Sequence, residues 1–499
     1  MSGPRQLRFR SMVLAAAVAA VSAVVAPGGA AHAAPLGGRT PPVVDFDGDG
    51  HADLAVGAPG GTVGGGAGAG YVSVVYGAAG GLDAARHVSF SQNTAGVPGG
   101  AEAGDRFGAK VLPVDLNGDG YTDLLVGAPG EDVGTAVDAG MITVLWGGPT
   151  GLATATAVDT GAVPGLQTGR TLAAGDFDGD GTADIAYLTG VDVQVLSGVG
   201  TDGRPAHRGT IVTWYVMGTA GITTDDLAAG DVNGDGTSDL VVIGRGVEDA
   251  DDGEAPLFLG GSHTEDAVGG LAYAENLRDA AGYWLEGQSV AIGDLNGDGY
   301  GDVVVGHTHE GYFTDSLLPS KGGAIGVAYG GPDGESRTVP PVWINQDSAG
   351  VPGVAESGDA LGATVAVGDV NGDGYADVVA GAPGEDLSGV TDAGDLLLFK
   401  GAAGGLTGAG SQAFSQDTAG MPGVAEAHDR FAGTVAVLGA TGTDRAQAAA
   451  GDPDENAGNG AVWVLHGAAA GLTATAPANF GAATMHTPVT GSAFAATLG

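Results

Sequence analysis

The stretch DFDGDGHAD, Asp45 to Asp53, decides the fold. It sets four carboxylates and two glycines in nine residues, and the pattern returns five times: DLNGDGYTD (Asp115–Asp123), DFDGDGTAD (Asp176–Asp184), DVNGDGTSD (Asp231–Asp239), DLNGDGYGD (Asp294–Asp302) and DVNGDGYAD (Asp369–Asp377). Carboxylates packed this closely repel unless a positive charge sits among them. Acids at positions 1, 3, 5 and 9 converge in a tight loop, glycines at 4 and 6 allow its turn, and the position-7 carbonyl adds an oxygen. Six to eight oxygens suit a hard cation, and flexible carboxylates favour Ca²⁺ over Mg²⁺.

The expected ligands are Asp45, Asp47, Asp49 and Asp53; Asp115, Asn117, Asp119 and Asp123; Asp176, Asp178, Asp180 and Asp184; Asp231, Asn233, Asp235 and Asp239; Asp294, Asn296, Asp298 and Asp302; Asp369, Asn371, Asp373 and Asp377. That is about six Ca²⁺ per chain. The loops lack the Glu at position 12 of an EF-hand. A strand-like run such as DLLVGAP or DVVAGAP follows each, so they read as β-hairpin loops acting mainly as structural staples.

The loops recur at intervals that suit a four-stranded propeller blade. A second set of apolar runs ends in glycine: GYVSVVYG, GMITVLWG, VDVQVLSG, GAIGVAYG, GDLLLFKG and GAVWVLHG. A longer element also repeats, as FSQNTAGVPGGAEAGDRFG (90–108), INQDSAGVPGVAESGDALG (344–362) and FSQDTAGMPGVAEAHDRFA (414–432). No useful helical periodicity follows the N-terminal region. The fold class is all-β, a seven-bladed β-propeller. The seventh blade, near 431–475, keeps Gly451 and Pro453 of the GAP run, but its loop has become GATGTDRAQ, with Gly439, Thr441, Thr443 and Gln447 where acids should stand. Pro41–Pro42 spoil a first strand before Asp45, whereas FAATLG (494–499) matches FGAKVL (107–112). The last residues are therefore expected to supply strand 1 of the first blade and close the ring.

The 499 residues carry 17 Lys+Arg against 59 Asp+Glu, a formal charge of -42. Such a surface cannot neutralise a phosphate backbone, so nucleic acid is excluded as a partner. Cysteine is absent, which removes disulfides, thiolate metal sites and cysteine nucleophiles. Arg5, Arg8 and Arg10 precede an apolar run, Ser11–Ala26, and an Ala31-His32-Ala33 cleavage pattern. Residues 1–33 read as a signal peptide, 34–499 as the propeller, and the mature chain as a secreted monomer with no membrane span.

RFG followed by DLNGDGYTDLLVGAP resembles the FG-GAP repeat of integrin α-subunit propellers. The resemblance spans nearly all of the mature chain. It implies seven blades, structural calcium in the hairpin loops, and extracellular binding or cell adhesion toward a protein or glycan ligand. The chain departs from integrins in lacking cysteine and in carrying six loops where integrin α chains have fewer. With its Ala/Gly richness and scarce lysine, it looks like a secreted bacterial relative.

In such a blade the 1–2 and 3–4 connections share one face with calcium, leaving the 2–3 and 4–1 connections as the ligand face. The long 2–3 connections are read as 131–138, 245–256, 307–321 and 385–392. His307, His309 and Glu310 are either a metal group or exposed loop polarity. Tyr283, Trp284, Tyr312 and Phe313 either stack a sugar or pack. No G-x-S-x-G elbow occurs and no catalytic residue is assigned. A secreted enzyme of polysaccharide lyase or esterase type and a passive cell-surface scaffold are the alternatives.

Overall fold

The apolar runs between loops are buried on both sides. In the second blade Leu124 and Val126 pack toward the first blade, while Leu125 packs toward the third. A strand with two buried faces reads as a continuous apolar run rather than an alternating one. In the computed structural model, which describes residues 43–499 apart from 190–191, 213–221, 247–252, 265, 311–320 and 441–444, these runs form the middle strands of seven four-stranded antiparallel sheets. The second blade is typical, with strands Lys110–Val114, Asp123–Ala128, Met141–Trp146 and Thr154–Thr160. Strands 2 and 3 are buried throughout and strand 4 is half exposed.

Seven apolar clusters each join one sheet to the next, and one of them joins the seventh sheet to the first, so the sheets form a closed ring. The only helix among the described residues is the single turn Glu455–Gly458. The FG and GAP runs meet across blades. The α-carbon of Gly127 lies so close to the Gly169 carbonyl that a β-carbon would stand 1.9 Å from the oxygen, and Gly57 meets Gly108 in the same way at 2.1 Å. Glycine is required there because backbone meets backbone.

The expected closure is present. Thr497–Leu498 pairs antiparallel with Leu54–Ala58, completing the first sheet. Gly499 and Ala55 exchange backbone hydrogen bonds of 2.7 and 3.0 Å. Phe494 fills the junction between the seventh and first blades, fully buried and edge-on to Phe480. The seventh blade has strands Thr434–Leu438, Gln447–Asp452, Ala461–Ala468 and Gly471–Gly481, so its last strand runs past residue 475.

Two expected loops are shorter. Arg245 lies in the strand Asp239–Gly246 and Pro256 opens Pro256–Leu259. His307 is not exposed loop polarity: it ends the strand Asp302–His307, buried, with Nε2 3.2 Å from Glu286 Oε1. The polar run HTHE hides a strand end, because the buried Glu286 carboxylate gives the imidazole a partner inside. The proposed leader, and Tyr312, Phe313, Thr441 and Thr443, lie outside the described residues.

Candidate metal centre

Each acidic loop is built from alternating directions. The position-2 residue, Phe46, Leu116, Phe177, Val232, Leu295 or Val370, is buried and anchors the loop into a blade junction. Its neighbours at positions 1 and 3 then point the other way. The glycines at positions 4 and 6 have positive φ in all six loops, 71° and 83° at Gly48 and Gly50. This left-handed backbone turns consecutive N–H groups inward.

Those N–H groups hold the acids. In the first loop, Gly48 and Asp49 donate to Asp45 Oδ1 at 2.7 and 3.2 Å, and Gly50 donates to Asp45 Oδ2 at 2.8 Å. Asp49 donates to Asp47 Oδ1 (3.2 Å), and His51 to Asp49 Oδ1 (3.0 Å). The position-1 contacts repeat at Asp115, Asp176, Asp231, Asp294 and Asp369. Each carboxylate is thus fixed in place with lone pairs to spare.

Position 9 has a different role. Asp53, Asp123, Asp184, Asp239, Asp302 and Asp377 are fully buried. Their Oδ2 atoms accept the position-2 N–H, at 2.8 Å from Phe46 to Asp53. In five loops Oδ1 also accepts an N–H from the glycine that ends strand 3: Gly77, Gly147, Gly260, Gly330 and Gly401. A β-carbon on Gly147 would stand 2.2 Å from the Thr122 carbonyl, and one on Gly77 2.4 Å from the Ala52 carbonyl. The recurring glycine was read in sequence as a strand boundary. It is also the donor that ties strand 3 to the loop.

Burial pushes Asp53, Asp123, Asp184, Asp239 and Asp377 up to about 7 and Asp302 up to about 8. A buried carboxyl of this kind keeps its proton near neutrality unless a cation compensates it.

In two of the six loops, three of the four expected ligands come together. One carboxylate oxygen each from Asp45, Asp47 and Asp53 lies within 4.8 Å of the other two, and Asp176, Asp178 and Asp184 converge likewise. These are the two loops with Asp at position 3. The other four carry Asn there, so an amide oxygen replaces a carboxylate. An all-oxygen donor set on a turn this ordered fits a hard divalent cation. Sequence reading missed Arg86, whose guanidinium reaches Asp47 Oδ2 (2.9 Å) and Asp49 Oδ2 (3.1 Å) on the rim of the first loop.

The loops also connect into a belt. The position-8 N–H of one loop donates to the position-1 carbonyl of the loop before it: Thr122 to Asp45 (2.9 Å), Ser238 to Asp176 (2.8 Å), Gly301 to Asp231 (2.7 Å) and Ala376 to Asp294 (2.9 Å).

Four segments, 37–75, 107–145, 287–320 and 361–399, match the FG-GAP repeat. Over 173 residues the chain is 32% identical to phosphatidylinositol-glycan-specific phospholipase D of Mus musculus, covering 34% of this chain and 19% of that protein. It is 28% identical over 238 residues to integrin alpha-PS2 of Drosophila melanogaster (44% and 15%), and 33% identical over 120 residues to integrin alpha-6 of Homo sapiens (24% and 9%). The match spans less than a fifth of each relative's length. Its repeats and its ring of seven sheets make the chain an integrin α-like FG-GAP β-propeller.

Proposed function

We propose that the chain is a secreted, monomeric binding module of adhesive type, without catalytic activity, in which Ca²⁺ in the six loops is mainly structural. Support for structural calcium comes from the position of five of the loops between strands 1 and 2 of their own blade, and from position 9, which ties five of the six to strand 3. Binding an ion there holds three strands together.

The ligand, a protein or glycan, binds the opposite face, formed by the 2–3 and 4–1 connections. One observation carries this reading. Of eight exposed large apolar side chains among the described residues, seven lie on those connections: Val137, Val163, Val212, Tyr283, Trp284, Val354 and Val424. Val354 and Val424 occupy the same position of the repeated element, each 64% exposed. Apolar tips repeated around one rigid face are what a binding surface presents. Trp284 also lies beneath the Arg278 guanidinium, 5.8 Å from the ring centroid.

The phospholipase similarity covers too little of that enzyme to bring its activity here. The test is binding of the purified chain to immobilised polysaccharides and matrix proteins, in calcium and in chelator, with the bound material analysed for cleavage. Binding that is lost in Trp284→Ser and Val424→Ser variants of unchanged thermal stability supports the module. Cleavage of the bound material moves the reading to an enzyme, and silence across the panel to a passive scaffold.

A further inference from the structure

Three carboxylates converge at one further place, in the blade that lost its loop. One oxygen each from Asp429, Asp452 and Glu455 lies within 4.8 Å of the other two. This group stands at the far end of strand 2, on the face opposite the six acidic loops.

Part of the group is a repeated structural element. Gln416 Nε2 donates to Glu455 Oε2 at 2.6 Å, as Gln92 does to Glu131 (2.5 Å) and Gln346 to Glu385 (2.7 Å). Asp429 accepts the Glu426 N–H, as Asp105 accepts that of Glu102 and Asp359 that of Glu356. The Gln–Glu bonds join three of the 4–1 connections to the blade after them, and the Asp–Glu bonds brace those connections internally. What is added in the seventh blade is Asp452. It occupies the last position of strand 2, where the second and sixth blades have Ala128 and Ala382.

Asp452 is fully buried. Its Oδ1 accepts the N–H groups of Asp454 (3.1 Å) and Glu455 (2.7 Å), while its Oδ2 has no hydrogen-bond partner. Among the described residues no Lys, Arg or His pairs with Asp429, Asp452 or Glu455. The nearby Arg430 reaches Asp454 instead, at 3.5 Å. A buried carboxylate oxygen with no donor, facing two further carboxylates, is a costly arrangement that a cation relieves.

We propose that Asp429, Asp452 and Glu455 hold a seventh hard divalent cation, Ca²⁺ in a calcium-containing medium, on the face opposite the six loops. The donors are all carboxylate oxygens, the kind of set Ca²⁺ takes more readily than Mg²⁺. The ion has a specific mechanical position. Glu455 opens the turn that carries the closing segment: Gly458 O accepts the Ala493 N–H (2.9 Å), and Asn459 O accepts the Phe494 N–H (3.3 Å) and Ser492 Oγ (2.8 Å). An ion on Glu455 and Asp452 fixes this turn against strand 2, and with it the joint that closes the ring.

The test compares the wild-type full chain with Asp452→Ala, which installs the residue of the sister blades, and with Glu455→Gln. Bound calcium per chain and thermal midpoint are read in calcium and in chelator. Each variant is expected to hold one ion fewer than wild type. Asp452→Ala is expected to melt above wild type in chelator, because the unpartnered carboxylate is gone, and to lose that advantage in calcium. Equal calcium content in wild type and both variants overturns the proposal. So does an Asp452→Ala advantage of the same size in both media, which marks Asp452 as a carboxyl sharing a proton with Glu455. If the six loops bind nothing, total calcium falls to about one per chain while the difference between wild type and variants persists, so the two readings fail separately.

Discussion

The sixth and seventh blades are neighbours with the same strand register and the same glycine at the end of strand 3, yet one has the acidic loop and the other GATGTDRAQ. In the sixth, Asp377 receives N–H groups from Val370 and Gly401, both at 3.1 Å. In the seventh, Gln447 stands in its place with its Oε1 buried and unpartnered, although Gly467 still packs against the Ala446 carbonyl. The difference teaches that the strands, not the loop, define the blade. The loop is an insert that the close glycine contacts accommodate but do not require.

The largest expected effect comes from removing cations, which acts on six blades at once. With free calcium tenfold to a hundredfold above Kd, each site contributes about 1.4–2.7 kcal/mol, so chelation is expected to cost roughly 8–16 kcal/mol over six loops. Denaturant unfolding in calcium and in chelator measures it. A cost under about 2 kcal/mol would show that the loops hold their shape without ions.

Single substitutions sharpen the contrast. Asp377→Ala leaves two buried N–H groups without an acceptor and is expected to cost about 2–4 kcal/mol, while Gln447→Ala at the matching position costs under about 1 kcal/mol. Equal costs in thermal unfolding would mean that position 9 serves packing alone. Replacing residues 439–447 by DVNGDGYAD is expected to add one bound calcium and about 1.4–2.7 kcal/mol in saturating calcium. Metal analysis of the folded protein decides, and an unchanged count would make the loop dependent on its own blade.

The smallest effect is a pH slope. Burial lifts Asp377 to about 7 from its ordinary 3.8. The folded chain without cations therefore holds a proton there that the unfolded chain has released, and this contribution fades as pH rises through about 7. Between about pH 4 and about pH 7, chelated protein is expected to melt lower as pH increases, and the slope levels off above that. Saturating calcium keeps the carboxylate ionised and flattens the slope. A slope unchanged by calcium would place the titrating group elsewhere.

Much of this was legible in the sequence because repetition supplies register. Once six loops align, FAATLG is recognisable as the missing first strand, and the structure places Thr497 opposite Gly57. The positive-φ glycines were equally readable, since their spacing within the loop is constant. Two things were not. The strand-3 glycines act through backbone N–H groups, which every residue but proline has, so nothing in the one-letter code marks Gly77 or Gly147 as a donor. Asp452 stands 23 residues from Asp429 and looks like a stray substitution for alanine until the fold brings Glu455 beside it.

The closing strand also sets the order of events in time. The first sheet lacks its inner strand until the final residues of this chain are available, and the bond from Thr497 Oγ1 to the Gly108 carbonyl spans 389 positions. Contacts this distant in sequence slow folding, since the loop must close before they form. Until then the strand Leu54–Ala58 offers an unpaired edge, the kind of surface that recruits other chains. The ring is consequently a late event, and the period before Phe494 docks is when the chain is most exposed to misassembly.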